Sequence, residues 1–198
     1  MQKGTDSRAR FPGCWSALRR TKLFQALTAL AAITILPLIP VTAAAQDVTE
    51  PALKAAFIFN FAKFTEWPAE VMTAGEPLLL CVLGDAAIGE ALERAVKSRT
   101  LLGHRMDVSQ ATSNGPPREG CHVLYVSGVT ASQAAKVVAG LRDTPVLTIS
   151  DAEGFTQVGG IAQFFFEHGQ LRFNVHVESA KRARLRISSR LLALATAK

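Results

Sequence analysis

Hydrophobic and polar positions follow two regimes along this chain. From Pro77 to Gly84 the run PLLLCVLG is apolar without interruption and ends at Asp85. Such a run reads as a strand buried on both faces. HVLYVS (His122–Ser127) and PVLTIS (Pro145–Ser150) repeat the pattern. Between them the period lengthens. In DAAIGEALERAVKS, the residues Ile88, Leu92, Ala95 and Val96 share one helical face, and Asp85 is placed to cap the helix. A further strand is expected near His104–Ser109, a loop over SNGPPREG, and a small helix from about Thr130 to Leu141. The middle of the chain thus reads β-α-β-β-α-β, a Rossmann-like layer with parallel strands.

After Asp151 the pattern changes. Gly154, Gly159 and Gly160 mark a turn, and IAQFFFEHGQLRFNVHV reads as a hairpin with His168-Gly169 at its tip. ESAKRARLRISSRLLALATAK closes the chain as a helix, a short break and a final helix. The expected fold class is α/β: one domain with a layered sheet of mixed strands flanked by helices, ending in a C-terminal hairpin plus helix.

FIFNFAKFTEWP (Phe57–Pro68) gathers four phenylalanines and a tryptophan. Thr49 is a suitable cap for a helix that runs through it to about Trp67, where Pro68 stops it. At about 100° per residue, Phe57, Phe61, Phe64 and Trp67 form one stripe, most simply the core face. Phe59 falls on the polar side with Lys63 and Glu66, which makes it the candidate for a partner or dimer surface.

Charge alters the picture once its distribution is considered. The chain has 198 residues and a formal charge of +6. Arg8, Arg10, Arg19, Arg20 and Lys22 precede an apolar run from Leu23 to Val41, and Ala43-Ala44-Ala45 follows. That is the layout of a signal peptide over residues 1–45, cleaved after Ala45, with a folded domain over 46–198. An uncleaved anchor is the alternative. Residues 1–45 hold six Lys/Arg and one acid, so the remainder has 16 basic and 15 acidic side chains and a charge of +1. A nucleic-acid partner is not expected at that balance. Cys81 and Cys121 remain after the cut, and export favours a disulfide between them over two buried thiols.

No motif calls for catalysis. Gly84-Asp85 joins a strand to a helix, but G-x-G-x-x-G is absent, as is G-x-S-x-G. His104, His122, His168 and His176 show no metal-ligand spacing, so no metal and no cofactor is expected. Lys181-Arg182-Ala183-Arg184-Leu185-Arg186 suits a solvated helix face or an anion contact. Ser188-Ser189 suits a helix N-cap or an anion contact.

Taken in order, AAFIFNFAKFTEWP, LLLCVLGD, GCHVLYVSG, PVLTISDAEGFTQVGG, LRFNV and LRISSRLLALA resemble the YfiR-like family of exported bacterial proteins over about residues 53–196. The resemblance implies a periplasmic, non-enzymatic α/β domain that dimerises. The family's best-known member represses an inner-membrane diguanylate cyclase by binding its periplasmic part, which lowers cyclic-di-GMP and limits biofilm formation. Some members bind small molecules. By this likeness Cys81 and Cys121 match the family's strand-linking disulfide, and Glu66, Trp67, Arg186 and Ser188 match the neighbourhood of a ligand pocket. Some members carry a second cysteine pair where this chain has Thr156 and Gln163, so redox control through that pair is not carried over. The alternative function is a periplasmic small-ligand sensor or carrier without a cyclase partner.

Overall fold

A computed structural model of the protein describes residues 48–111 and 120–196. The expected signal segment and most of the SNGPPREG loop lie outside them. Along the chain run α1 (Glu50–Lys63), β1 (Thr65–Glu66), a 3₁₀ turn (Ala69–Val71), β2 (Leu78–Leu83), α2 (Ala86–Val96), β3 (Thr100–Leu101) and β4 (His104–Ala111). Then come β5 (Val123–Val126), α3 (Ala131–Gly140), β6 (Leu147–Ser150), β7 (Ala162–Glu167), β8 (Gln170–Val175), α4 (Val177–Arg182), β9 (Arg186–Ile187) and α5 (Ser189–Leu192).

Seven strands form one sheet in the order β3-β4-β2-β5-β6-β7-β8. The inner five, β4 through β7, are parallel, while β3 and β8 pair antiparallel at the edges. Numbered as they occur along the chain, the parallel strands lie in the spatial order 2-1-3-4-5. This is the doubly wound, flavodoxin-like order. The mixed α/β class read from the sequence is therefore the observed one.

Burial explains the unbroken apolar runs. Leu78, Leu80 and Val82 enter the large core with Ile58 and Phe61 of α1 and Ile88 and Leu92 of α2. Cys81 and Leu83, with Leu124 and Val126, form a second cluster against which Val137 and Leu141 pack. A central strand covered on both sides has no solvent face to make polar. Capping also follows the sequence. Asp85 Oδ1 accepts from the Ala87 amide at 2.9 Å, and Thr130 and Gln133 form a reciprocal capping box. At the hairpin tip His168 and Gly169 have φ of 50° and 75°, the two positive values a type I′ turn needs.

The Cys81–Cys121 disulfide joins the second-face side of β2 to the start of β5. It closes a separation of 40 residues. In the chain-entropy model a loop of that length contributes about 4 kcal/mol.

Two expectations change. The first helix ends at Lys63 rather than near Trp67, and Thr65–Glu66 form a strand paired antiparallel with Arg186–Ile187. Thr65 Oγ1 donates to Phe61 O at 2.8 Å, and the Ser188 amide donates to Phe64 O at 2.9 Å. These bonds close the helix end and turn the chain toward a partner over a hundred residues away, which helical periodicity does not register. The expected break in the C-terminal segment is accordingly strand β9. Phe57 and Phe61 pack edge-on against Phe164 and Phe173 of the hairpin, as a core stripe should. Phe59 is half-buried, packed against the same core with the Arg99 guanidinium 5.1 Å from its ring centre.

Candidate functional site

The four residues expected near a ligand pocket divide at the β1–β9 ladder. Neighbouring strand residues point to opposite sides. Glu66 points out and faces Arg186, its register partner, with Nε and Oε2 3.7 Å apart and side chains 71% and 86% exposed. Trp67 points in and is buried, its Nε1 donating to His122 O at 3.2 Å. Ser188 uses its backbone amide on Phe64, while its Oγ accepts from the Arg190 amide at 3.3 Å as the cap of α5. The structure thus brings Glu66 and Arg186 together at the surface. It commits Trp67 to the core and the Ser188 hydroxyl to a helix terminus.

Behind the ladder, Trp67 reaches the disulfide through one residue. The His122 ring meets Trp67 edge-on at 6.5 Å. Its Nδ1 accepts from the Leu79 amide at 3.1 Å, so Nε2 carries the proton and donates to Val71 O at 2.9 Å. Both ring nitrogens are spent on the backbone, and the histidine fastens the 3₁₀ segment to β2. Cys121 precedes it and is bonded to Cys81. Among the described residues no group of three or more His, Cys, Asp and Glu side chains is arranged to hold a metal ion.

Each cation of the basic run has a polar partner, a carboxylate for three of the four. Lys181 pairs with Glu178, Arg182 donates to Ser179 Oγ, Arg184 pairs with Glu70, and Arg186 faces Glu66. Two of these contacts fix the C-terminal segment onto the segment after α1. Glu178, fully exposed, has its carboxyl held below the usual range, chiefly by the Lys181 hydrogen bond and charge.

A second charged cluster was not found by sequence reasoning. Lys54 on α1 is buried, with Nζ 2.6 Å from Glu50 Oε1 and 2.6 Å from Asp151 Oδ2. Asp151 follows the C-terminal end of β6, and the fully buried Tyr125 of β5 lies within its electrostatic reach. Burial works to lower the Lys54 pKa, but hydrogen bonds and charge from Asp151 and Glu50 outweigh it and leave the pKa raised. Burial, then the Asp151 charge, pushes the Tyr125 phenol far up, so it stays protonated. The only signal in the sequence is the i, i+4 spacing of Glu50 and Lys54; Asp151 is 97 residues further on.

Fold and polar groups together define an α/β domain closed by a disulfide, with a doubly wound core and a small external ladder. The chain belongs to the YfiR/HmsC-like family, whose model matches residues 51–196. No curated protein matches it. Proteins of this family are periplasmic, and membership associates the chain with regulation of diguanylate cyclase signalling and with a regulatory more than a catalytic role. No helix among the described residues is long and apolar enough to cross a membrane.

Proposed function

We propose that the protein is exported by cleavage after Ala45 and acts as a homodimeric periplasmic repressor. It binds the periplasmic region of an inner-membrane diguanylate cyclase, holds the enzyme inactive, and so lowers cyclic-di-GMP and biofilm formation. The family match over residues 51–196 is the observation that carries this reading, because it spans nearly the whole expected mature domain. Repression of this kind needs no chemistry in the repressor. Preferential affinity for the inactive cyclase shifts the population toward that state, and about 100-fold preference moves an even mixture to roughly 1% active. Two surfaces are candidates for the contact: the exposed Glu66–Arg186 pair, and the open edge of Phe59 beside Arg99. A strain lacking the gene should show raised cyclic-di-GMP and thicker biofilm, reversed by the intact gene. An unchanged nucleotide level overturns the reading.

A second reading is a small-ligand sensor or carrier at Glu66, Trp67, Arg186 and Ser188. At 3.7 Å the Glu66–Arg186 contact is too long for a good hydrogen bond, which leaves both heads free for an exchangeable partner. Screening anionic metabolites by thermal shift tests it, since a bound ligand raises Tm by mass action. Arg186→Ala should remove the shift; a shift that survives the substitution places the ligand elsewhere.

A further inference from the structure

Away from the ladder, the β7–β8 hairpin carries two buried amides side by side on the sheet. Gln163 and Asn174 are register partners, 6% and 9% exposed. They continue the row from Ser150, but the Ser150 hydroxyl is already spent on Val126 O and the Ala152 amide. Asn174 Oδ1 is buried and takes no hydrogen bond. An unpaired buried acceptor is costly, and native cores rarely keep one without a use for it.

Both amides line a cleft of about 590 Å³. Its rim comes from two segments that the fold brings together. One is the turn after β6, with Glu153, Thr156 and Gln157; the other is the C-terminal segment, with Leu192, Ala195 and Thr196. The Thr196 amide donates to Phe173 O at 2.9 Å, which fixes that segment along β8. Among the described lining residues Glu153 is the only carboxylate, and no lysine or arginine lines the cleft. His176 also borders it, with Nδ1 accepting from the Ser179 amide at 3.1 Å. None of Glu66, Trp67, Arg186 and Ser188 is among the lining residues.

We propose that this cleft is a binding site for a small amine with a short apolar arm. The ammonium or amine hydrogens would satisfy Asn174 Oδ1, the Glu153 carboxylate supplies the opposite charge at the rim, and Val175, Leu192 and Ala195 receive the apolar part. The lining offers no lysine or arginine for a ligand carboxylate, so a free amine is preferred over the corresponding amino acid. This site stands apart from the regulatory reading, and either can fail without the other.

Side-chain amide NMR and calorimetry with phenethylamine, n-butylamine, phenylalanine and n-butanol test the assignment on the purified protein. The amines should bind in the millimolar range or tighter, shift the Asn174 side-chain amide resonances, and bind at least tenfold more tightly than phenylalanine or n-butanol. Asn174→Leu removes the acceptor at similar volume; it should keep or raise Tm and reduce amine affinity at least tenfold. Glu153→Gln, on the exposed rim, should weaken the amines and leave n-butanol unaffected. The proposal is overturned if no amine binds at 10-fold molar excess in the millimolar range, which would leave water as the partner of Asn174. It is equally overturned if amine binding is unchanged in both variants.

Discussion

Of the three carboxylate–cation pairs that tie the first part of the domain to its second half, two stand at opposite extremes of burial. Lys54 on α1 meets Asp151 beyond β6 at 2.6 Å with only 8% of its side chain exposed. Arg186 on β9 meets Glu66 on β1 at 3.7 Å with 86% exposed. The two pairs use similar residue types over similarly long sequence separations, yet their physics differs. In the buried pair, charges stripped of water are held by short hydrogen bonds, so losing one partner strands the other in a poor solvent. In the exposed pair, water and salt screen an attraction that already competes with side-chain entropy. The first pair is a structural latch. The second is a surface feature whose groups remain available to a partner.

The largest test of that division is at Trp67, which holds the exposed pair's strand from beneath. Trp67→Ala should cost about 3–5 kcal/mol in urea unfolding, whereas removing the neighbouring Glu66 should cost almost nothing. A loss under about 1 kcal/mol would show that the ladder does not depend on this anchor.

Next in size is the latch. Lys54→Ala should cost about 3 kcal/mol, the lower end for a broken buried pair, because Asp151 keeps 26% of its side-chain exposure. Replacing both partners by Lys54→Met and Asp151→Leu should recover much of the loss. A single variant as stable as the parent would remove the distinction between the pairs.

The latch also gives the domain an alkaline limit. Lys54 is raised from 10.5 and Tyr125 from 10.0, so the folded protein keeps two protons that the unfolded chain releases above those values. Stability from these groups is therefore complete below about pH 10 and falls as pH rises beyond it, by at most about 1.4 kcal/mol per pH unit for each group. Unfolding midpoints measured from pH 9 to 11.5 should fall only in the upper part of that range. Lys54→Met together with Tyr125→Phe should flatten the curve, and a slope unchanged in that variant would assign the alkaline limit to other groups.

The smallest expected effect belongs to the exposed pair. A double-mutant cycle with Glu66→Ala and Arg186→Ala should give a coupling of about 0.5 kcal/mol or less, reduced further by salt. A coupling above about 1.5 kcal/mol would give this surface pair the standing of the buried one.

Much of the sheet was readable because its strands meet one unvarying demand. PLLLCVLG, HVLYVS and PVLTIS are apolar on both faces, and Asp85, Thr130 and the His168-Gly169 tip announce the elements next to them. The same local signals misread the end of α1. Phe64 and Trp67 continue the helical stripe in sequence, but Thr65 and Glu66 obtain their backbone partners from Ile187 and Arg186. The four candidate site residues were placed together by family resemblance, not by local signals. Glu66 and Arg186 do meet, and Ser188 caps the last helix as its sequence position suggested, while Trp67 is drawn into a bond with His122 that no spacing rule describes.

By itself, then, the sequence determined the α/β class, the run of the larger elements, the helix caps at Thr49, Asp85 and Ser188, and the balance of charge over residues 46–198. Those properties follow from local periodicity, local hydrogen bonding and composition. Only the tertiary structure decided the strand order, the β1–β9 ladder, the Lys54–Asp151 latch and the cleft above Asn174. Each of these depends on which distant segments share one layer, and a buried charge or amide takes its meaning from partners the chain supplies many residues away.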